Sequence, residues 1–269
     1  MTTLEANIIG VAVWGPGLEG WAASRPVLAG EAPYEPRPSP APPPAVLPPT
    51  ERRRTGPVAR LALVVAQEAA AASGLPPASL RSVFASSNGD GVVVGGILDA
   101  LATIPAESRP VSPTQFHNSV HNAAAGYWSI ANASAEPATC LGLHDDTWAA
   151  GLLKAMAEVV ADAEPVLLCA YDHPLPVPLD ARRPTLAPFG LGLVLAPPGI
   201  GTPLARLAVR YEAMAGAAPP VPRIAGLRPL AAGNAAARAL PLLEALARGG
   251  AASHLLPYGD GSLTVTLAP

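Results

Sequence analysis

Short apolar runs alternate along the chain with longer stretches of helical periodicity, and this alternation limits the fold more than any other feature. The apolar runs, each ended by glycine, proline or polar residues, are NIIGVAVWGPG (7–17), the start of SVFASSNGDG (82–91), PATCLGL (137–143) and PVLLCAYDHP (165–174). Such runs are typical of buried strands. Apolar residues at helical spacing occupy 56–74, 92–104 and 147–163, and a further helix is expected from about Asn122. Strands that alternate with helices predict an α/β domain layered around a mixed sheet.

Three other segments complete the predicted architecture. Residues 31–49 contain too many prolines for a helix or a central strand, and we expect an extended surface excursion there. The segments GLGLVLAPP (190–198) and ARLAVRYEA (205–213) are predicted to form an antiparallel strand pair. The rest of the chain predicts one helix rich in alanine and leucine at 234–248 and a last strand at 262–268.

Composition and charge exclude several classes of protein. Half of the 269 residues are hydrophobic, so the chain is long and apolar enough to form a sizeable core. A formal net charge of −3 argues against nucleic acid or an anionic membrane as the main partner. The two cysteines, Cys140 and Cys169, lie in apolar runs, and no disulfide is expected. Because the first residues lack a signal-peptide pattern and no uninterrupted run of about 18 apolar residues occurs, we expect a cytoplasmic protein without a membrane span.

The sequence HDDTWAAGLLKA (144–155) follows a predicted strand and opens a predicted helix. A nucleophile at such a place is stabilised by the helix amino terminus, and free backbone N–H groups nearby can hold an oxyanion. The residues found here are Asp145 and Asp146, and aspartate is among the best helix N-caps, so capping by itself accounts for both. Cys140 lies earlier, inside the strand, where a small thiol is expected to be inert packing.

Two polar segments invite a ligand-binding interpretation, and each has a simpler one. His117 and His121 have the i, i+4 spacing that can place two zinc ligands on one helical face. The glutamate of the metalloprotease motif is absent, however, and the segment is partly a loop. SSNGDG (86–91) lacks the ending of a phosphate-binding loop and is expected to be a turn. We therefore expect no metal and no cofactor.

A basic cluster and four tryptophans have two interpretations each. Arg52, Arg53 and Arg54 form either a solvated face or a contact for an acidic carrier protein or partner subunit. The tryptophans are expected to be core or interface anchors rather than a stacking platform.

Five motifs in a fixed order resemble the amino-terminal domain of β-ketoacyl synthases. They are LPPTERRRTGPVARLALVVAQEA (47–69), SVFASSNGDG, SPTQFHNSVHNAAAGYWSIA (112–131), HDDTWAAGLL and PVLLCAYDHPLP (165–176). More specifically, they resemble the short chain-length-factor-like proteins of that family, over about residues 5–215. The resemblance implies one thiolase-like half, a mixed five-stranded sheet covered by helices, with a short carboxy-terminal helix and strand. The implied domains are 1–215 and an extension at 216–269 that packs on the same domain.

The resemblance also implies the loss of catalysis. In the active synthases a cysteine heads the helix after the third strand, and the matching position here is Asp145. An aspartate cannot carry an acyl thioester. The active enzymes also need two histidines from a second half of the fold. After residue 215 this chain has only His254, without the glycine-rich surroundings of the family's histidine motifs. Asp145 and Asp146 would then remain as a helix cap.

The implied function is that of a non-catalytic subunit. It would pair with a full-length β-ketoacyl synthase, contact acyl carrier protein transiently, and set chain length in fatty acid, polyketide or aryl polyene biosynthesis. The strand 137–143 would pair with its counterpart across the dimer axis. The residues implied at the partner interface and tunnel end are Phe116, His117, Val120, His121, Asn122, Trp128, Thr139, Cys140 and Leu141.

Two alternatives stay open. The first is an active acyltransferase or malonyl decarboxylase that uses His117, His121 or Asp145. The second is a structural homodimer with no role in chain length.

Overall fold

The computed structural model of the protein describes residues 2–105, 112–213 and 218–269. Its strands are β1 (Leu4–Gly15), β2 (Leu18–Glu19), β3 (Arg81–Ala85), β4 (Ala138–Leu141), β5 (Val166–Asp172), β6 (Phe189–Ala196), β7 (Ala205–Glu212), β8 (Ala252–Tyr258) and β9 (Gly261–Ala268). Its helices are α1 (Trp21–Ala29), α2 (Pro49–Arg54), α3 (Pro57–Ser73), α4 (Gly91–Thr103), α5 (Pro113–Ser119), α6 (Ala123–Asn132), α7 (Thr147–Asp162), α8 (Arg228–Ala232) and α9 (Leu240–Arg248). The expected domain boundary between residues 215 and 216 lies outside the described residues.

The nine strands of the described ranges belong to one sheet, in the order β4-β3-β5-β6-β1-β7-β9-β8, with β2 paired to β1. β4, β3 and β5 are parallel, whereas β6 is antiparallel to both β5 and β1. The first five strands in this order form the mixed sheet expected from the sequence, so the predicted fold class is confirmed. The predicted number of strands is wrong, because β7, β9 and β8 extend the sheet beyond β1 and β2 adds a short pairing.

β6 and β7 are not the antiparallel pair that the sequence predicts. Each pairs with a different edge of β1, β6 along residues 7–14 and β7 along residues 4–8. The connecting residues 197–204 carry the chain across β1, and the Leu204 N–H donates to the Ile8 carbonyl at 2.8 Å on the far side. The hairpin was predicted because β6 and β7 are close in the sequence. In the structure β1 lies between them and pairs with one on each of its edges.

Helices cover both faces of the sheet. α3 buries an apolar side that runs from Val58 to Ala70, and it ends at Gly74, whose φ of 72° suits glycine, as the sequence predicts. α3 and α6 share one core cluster with one face of the sheet, whereas α7 lies in the cluster on the other face with α1 and α9. Within the described ranges no helix is long and apolar enough to cross a bilayer.

Some helix and strand boundaries differ from the prediction. α5 precedes the helix expected from Asn122, and a capping box between Ser112 and Gln115 opens it. The predicted helix 234–248 is a 3₁₀ turn at 236–239 followed by α9, because Pro241 fits only the first turn of an α-helix. β8 was not predicted, since Pro257 interrupts its apolar pattern.

Candidate functional site

The 144–147 turn, from His144 to Thr147, joins β4 to α7 at the carboxyl end of the strand. In α/β sheets this end is where ligands commonly bind. His144 has a φ of 48°, and residues 144–146 form a 3₁₀ turn. The buried Thr147 hydroxyl accepts from the Leu143 N–H at 2.9 Å and donates to the His144 carbonyl at 2.7 Å. These two bonds hold the backbone of the turn and so set the position of Asp145.

Asp145, at the position expected for a nucleophile, is bound by two arginines from distant parts of the chain. Arg183 Nη1 donates to its Oδ1, and Arg238 Nη2 lies 3.0 Å from its Oδ2. Arg238 Nη1 also donates to the backbone carbonyl of Asp145 at 2.9 Å. Both carboxylate oxygens therefore have cationic partners, and both guanidinium side chains are mostly buried.

The charges around Asp145 favour its ionised form. Burial by itself raises the pKa of this carboxyl, but the hydrogen bond from Arg183 and the charges of Arg238 and Arg183 outweigh burial and lower the pKa below its ordinary value. A carboxylate held in this way accepts hydrogen bonds and balances charge. It has no thiol chemistry, and acyl transfer to it would give a reactive mixed anhydride.

The predicted helix cap is wrong. Asp146 occupies the N-cap position of α7, but its side chain makes no hydrogen bond to the first amides of the helix. Its Oδ2 instead accepts from the Gly259 N–H at 3.0 Å, in the turn between β8 and β9. Asp145 is engaged by the two arginines and Asp146 by the hairpin. Local sequence does not reveal either distant partner.

A second polar centre, around Asp172, was not predicted from the sequence. Asp172 ends β5, is fully buried, and accepts from the N–H groups of Ser87 (2.8 Å) and Asn88 (3.1 Å). The hydroxyls of Ser86 and Ser87 each donate to it at 3.0 Å. Burial raises the pKa of Asp172, and these hydrogen bonds oppose the rise. An acid at the end of an otherwise apolar strand is the signal that could have identified it.

The Asp172 centre lies beside the 144–147 turn. Arg183 connects the two, because its Nη2 donates to Ser87 Oγ at 3.3 Å while its Nη1 binds Asp145. The SSNGDG segment is a turn, as the sequence predicts, and Asp172 holds it in place. Within the turn, the Gly89 N–H donates to Ser86 Oγ at 3.0 Å.

His117 and His121 do not share a helical face, so they lack the arrangement that their i, i+4 spacing could have given. α5 ends at Ser119, and His121 lies beyond it with Nε2 at 2.9 Å from the Ser86 carbonyl. The His117 ring lies edge-on to Tyr127, with centroids 5.9 Å apart. Across the part of the chain that the structure describes, no group of three or more His, Cys, Asp or Glu side chains could hold a metal ion.

Most of the residues expected at a partner interface are accessible to solvent. β4 is at the edge of the sheet and, among the described strands, pairs only with β3. His121 follows α5, and its Nε2 lies 2.9 Å from the carbonyl of Ser86, the residue directly after β3. We call the following accessible residues the β4-edge surface: Phe116, Val120, Asn122, Thr139, Cys140, Leu141 and Leu143.

The structure changes two further expectations, the interface role of Trp128 and the availability of the basic cluster at 52–54. Trp128 is wrongly placed at the interface, because it is 1% exposed and packs in the core cluster that contains α3. In the basic cluster, Arg52 donates to two backbone carbonyls of the preceding loop and Arg54 pairs with Glu51 at 3.1 Å. Arg53 is exposed. Only part of the cluster is therefore available to a carrier or partner.

His254 borders a very small space rather than a substrate site. It lies on β8 with Trp148 and Arg238 around a cavity of about 10 Å³. Burial lowers its pKa, and its Nε2 has no hydrogen-bond partner within the described structure. A cavity of this size holds about one water molecule, so His254 has no room beside it for an acyl substrate.

Comparison with known proteins identifies the family. Residues 28–221 match the family model for the beta-ketoacyl synthase N-terminal domain, and the chain belongs to this family. No curated protein matches the sequence.

Several solved structures share the thiolase-like fold. One is a ketosynthase (ApeO) in complex with its chain length factor (ApeC) from Xenorhabdus doucetiae, with a TM-score of 0.72, 19% identity and coverage of 99% of this chain and 100% of that chain. A second is the ishigamide ketosynthase/chain length factor, with a TM-score of 0.69, 16% identity and coverage of 97% and 98%. A third, a type II acyl-carrier protein in complex with its ketosynthase (AntDE:AntF), has a TM-score of 0.76, 10% identity and coverage of 99% and 99%. At these identities the likeness shows the fold.

Proposed function

We propose that the protein is a non-catalytic, chain-length-factor-like subunit that pairs with a full-length β-ketoacyl synthase. Asp145 carries this proposal, because the position that matches the family's nucleophile holds a carboxylate bound by Arg183 and Arg238. The chain keeps the ketosynthase-type domain but has no thiol at this position. In this proposal the partner ketosynthase supplies the nucleophile. This chain influences the length of the product through its interface with the partner.

The similar structures support this assignment. All three are described as complexes of a ketosynthase with a chain length factor or an acyl-carrier protein. The matches cover nearly the whole of both chains in each case, so the likeness extends beyond a shared domain within a longer protein.

The β4-edge surface supports a protein partner. The open edge of β4 presents backbone groups that another strand can pair with, and such an edge is an aggregation hazard when it stays uncovered. The β4-edge surface also contains exposed apolar side chains, with Phe116 69% exposed, Val120 46% and Leu143 45%. Burying them with a partner strand would form an interface with an apolar centre, of the kind that obligate complexes have.

The remaining parts of the proposal concern the substrate, the pathway and the cellular compartment. The chains elongated by the complex would be bound to acyl carrier protein, and Arg53 and Arg54 are the exposed members of the basic cluster that an acidic carrier could contact. The pathway would make a fatty acid or a polyketide, with an aryl polyene as the specific expectation. The complex would act in the cytoplasm.

Co-expression with a full-length ketosynthase tests the proposal. We expect a one-to-one complex in which condensation of malonyl and acyl groups, both supplied on carrier protein, stops when the ketosynthase nucleophile is replaced. Condensation should continue when Asp145→Asn is placed in this chain instead. Asp260→Asn, at an exposed aspartate in the β8–β9 turn, is the matched control.

Two outcomes would replace the proposal with an alternative. Loss of turnover in a folded Asp145→Asn complex would favour an active acyltransferase or decarboxylase. A stable homodimer that does not associate with any co-expressed ketosynthase would favour the structural role.

A further inference from the structure

A groove of about 610 Å³ shares no lining residue with the β4-edge surface. Its walls are the proline-rich segment 36–41, the first turns of α3 and residues 186–188. The volume is within the range of small-molecule sites, roughly 300–1,000 Å³. The groove also lies near the carboxyl ends of β1 and β5, since Pro16 and His173 follow these strands and line it. No function described above uses this space.

The lining of the groove is mostly apolar. Prolines provide much of it, and the side chains of Leu61, Leu186 and Ala187 add to the apolar surface. A polar metabolite would lose its hydration on such walls without regaining hydrogen bonds, which costs free energy. An aliphatic or polyene chain would gain from the same burial.

Basic groups accompany the apolar walls. Arg37, Arg60 and His173 line the groove, and no acidic residue is among its described lining. Arg37 is partly neutralised by Glu19, whose Oε1 lies 3.3 Å from its Nε. Arg60 uses its Nε to donate to the Thr55 carbonyl at 3.1 Å, and no carboxylate of the described residues forms an ion pair with it. The groove therefore offers a guanidinium whose charge is not balanced.

The outer wall of the groove is held in place before any ligand arrives. Trp14 Nε1 donates to the Ser39 carbonyl at 2.9 Å, and the Gly17 N–H donates to the Arg37 carbonyl at 3.0 Å. Ser39 Oγ donates to Glu19 at 2.8 Å. A wall fixed by these bonds and stiffened by proline loses little conformational entropy when a ligand binds. The sequence pattern predicted this segment as a surface excursion, and the structure makes it one side of a formed groove.

We propose that this groove binds an anionic amphiphile, with its apolar chain on the proline-rich walls and its carboxylate or phosphate head on Arg60. The planar guanidinium can bind either head group through two parallel hydrogen bonds. Leu186, which is 60% exposed at the rim, would contact the apolar chain. The site is separate from the proposed partner contact, so it stands or falls independently of the chain-length role.

Calorimetric titration of the whole protein tests the site, with decanoate, decyl phosphate and decanol as probes below their micelle concentrations. We expect saturable one-to-one binding of at least one anionic probe and binding of decanol that is about tenfold weaker. Arg60→Gln should weaken the anion by about tenfold and leave decanol unchanged. Leu186→Glu, which places a carboxylate at the rim, should weaken the anion at least as much. Arg206→Gln, at an exposed arginine on β7, is the control and should bind as the parent does.

A thermal melt of each variant establishes that it is folded before it is titrated. Comparison of decanoate with decyl phosphate tells which head group the site prefers, and either preference supports the proposal. The proposal is overturned by absence of saturable anion binding, by equal affinity for decanol and both anions, or by an equal loss in Arg206→Gln.

Discussion

Asp145 and Arg238 are bound to each other twice, through side chain and backbone. Arg238 Nη2 lies 3.0 Å from Asp145 Oδ2, and its Nη1 donates to the Asp145 carbonyl at 2.9 Å. Arg238 comes from the 3₁₀ turn before α9, so this contact ties the carboxy-terminal part of the chain to the 144–147 turn. The contacts of Asp145 thus give this residue a structural role in the protein.

The first prediction concerns this ion pair. Asp145→Asn should lower the free energy of unfolding at pH 7 by about 1 kcal/mol, a modest figure because the Asp145 side chain is 45% exposed and water screens the interaction. Asp260→Asn should have no effect. Urea unfolding of both variants beside the parent gives the comparison.

The pH dependence of that difference follows from the lowered pKa of Asp145. A carboxyl whose pKa is lower in the folded state contributes stability that is fully present above its unfolded pKa of about 3.9. That contribution disappears as the pH falls through the lower folded pKa. The gap between parent and Asp145→Asn should therefore close in acid, and a gap that stays constant from pH 7 to pH 3 would contradict the ion-pair role.

The second prediction concerns Thr147. Its buried hydroxyl serves both Leu143 and His144, so Thr147→Val keeps the shape and leaves two backbone groups without this partner. We expect a loss of about 1–3 kcal/mol in unfolding free energy. Thr266→Val, at an exposed position of β9, is the matched control and should change stability little. Equal effects of the two substitutions would mean that the hydroxyl does not hold the turn.

The third prediction concerns the buried Asp172. Asp172→Ala removes the acceptor from Ser86, Ser87 and Asn88, and we expect a loss of several kcal/mol, at about 1–3 kcal/mol for each unsatisfied buried group. Asp172→Asn keeps one oxygen acceptor and should lose much less. Chemical denaturation of the two variants, under one set of conditions, measures the difference.

The raised pKa of Asp172 predicts a second, opposite pH effect. Because burial makes the folded state bind this proton more tightly than the unfolded state, the parent loses stability as the pH rises from about 3.9 through the raised folded pKa. Asparagine does not titrate, so the stability of Asp172→Asn should rise relative to that of the parent over this pH range. A relative loss for the variant there would show that Asp172 is not destabilised by its charge.

The fourth prediction concerns acylation. Incubation of the isolated protein with acyl and malonyl carrier protein should give no covalent adduct in an intact-mass spectrum. Burial raises the pKa of the Cys140 thiol and raises that of Cys169 further, so neither supplies much thiolate at neutral pH. An active ketosynthase treated in parallel is the positive control. A stable acyl adduct on this chain would contradict its non-catalytic assignment.

The sequence predicted those parts of the fold that local pattern determines. α3 has both an apolar periodicity and a terminal glycine, and its ends lie where the pattern places them. The edges of β1 carry no such signal. The pairing of β6 and β7 with opposite edges of β1 is a long-range contact that the local pattern does not contain, so the predicted hairpin was wrong.

Motif order singles out Asp145 as a candidate, but its contacts could not be predicted from the sequence. Arg183 and Arg238 reach it from other segments of the chain. Both arginines lie far from it in the sequence, in runs without a motif, and only the folded chain brings them together: Arg238 lies in the 3₁₀ turn 236–239, which packs against α7. The preference of aspartate for helix N-caps predicted that Asp145 and Asp146 bind the first amides of α7, because those amides are their neighbours in the sequence.

The last prediction concerns chain length. Phe116 is 69% exposed on α5, and a partner's acyl tunnel would end against it if the proposed dimer forms. Removing its ring should leave room for more carbon units, so Phe116→Ala in a complex with a ketosynthase should shift products to longer chains without abolishing turnover. Val120→Ala should act in the same direction with a smaller effect, because it removes less volume. Mass spectrometry of the released chains provides the measurement.

Val221 offers a matched control for Phe116, since it is 63% exposed and lies outside the β4-edge surface. Val221→Ala should leave product lengths as they are. Gel filtration must first show that each variant complex is intact, because loss of association would stop turnover and hide any change in length. With intact complexes, unchanged product lengths in both Phe116→Ala and Val120→Ala would mean that these residues do not limit the chain, and the β4-edge surface would then serve association alone.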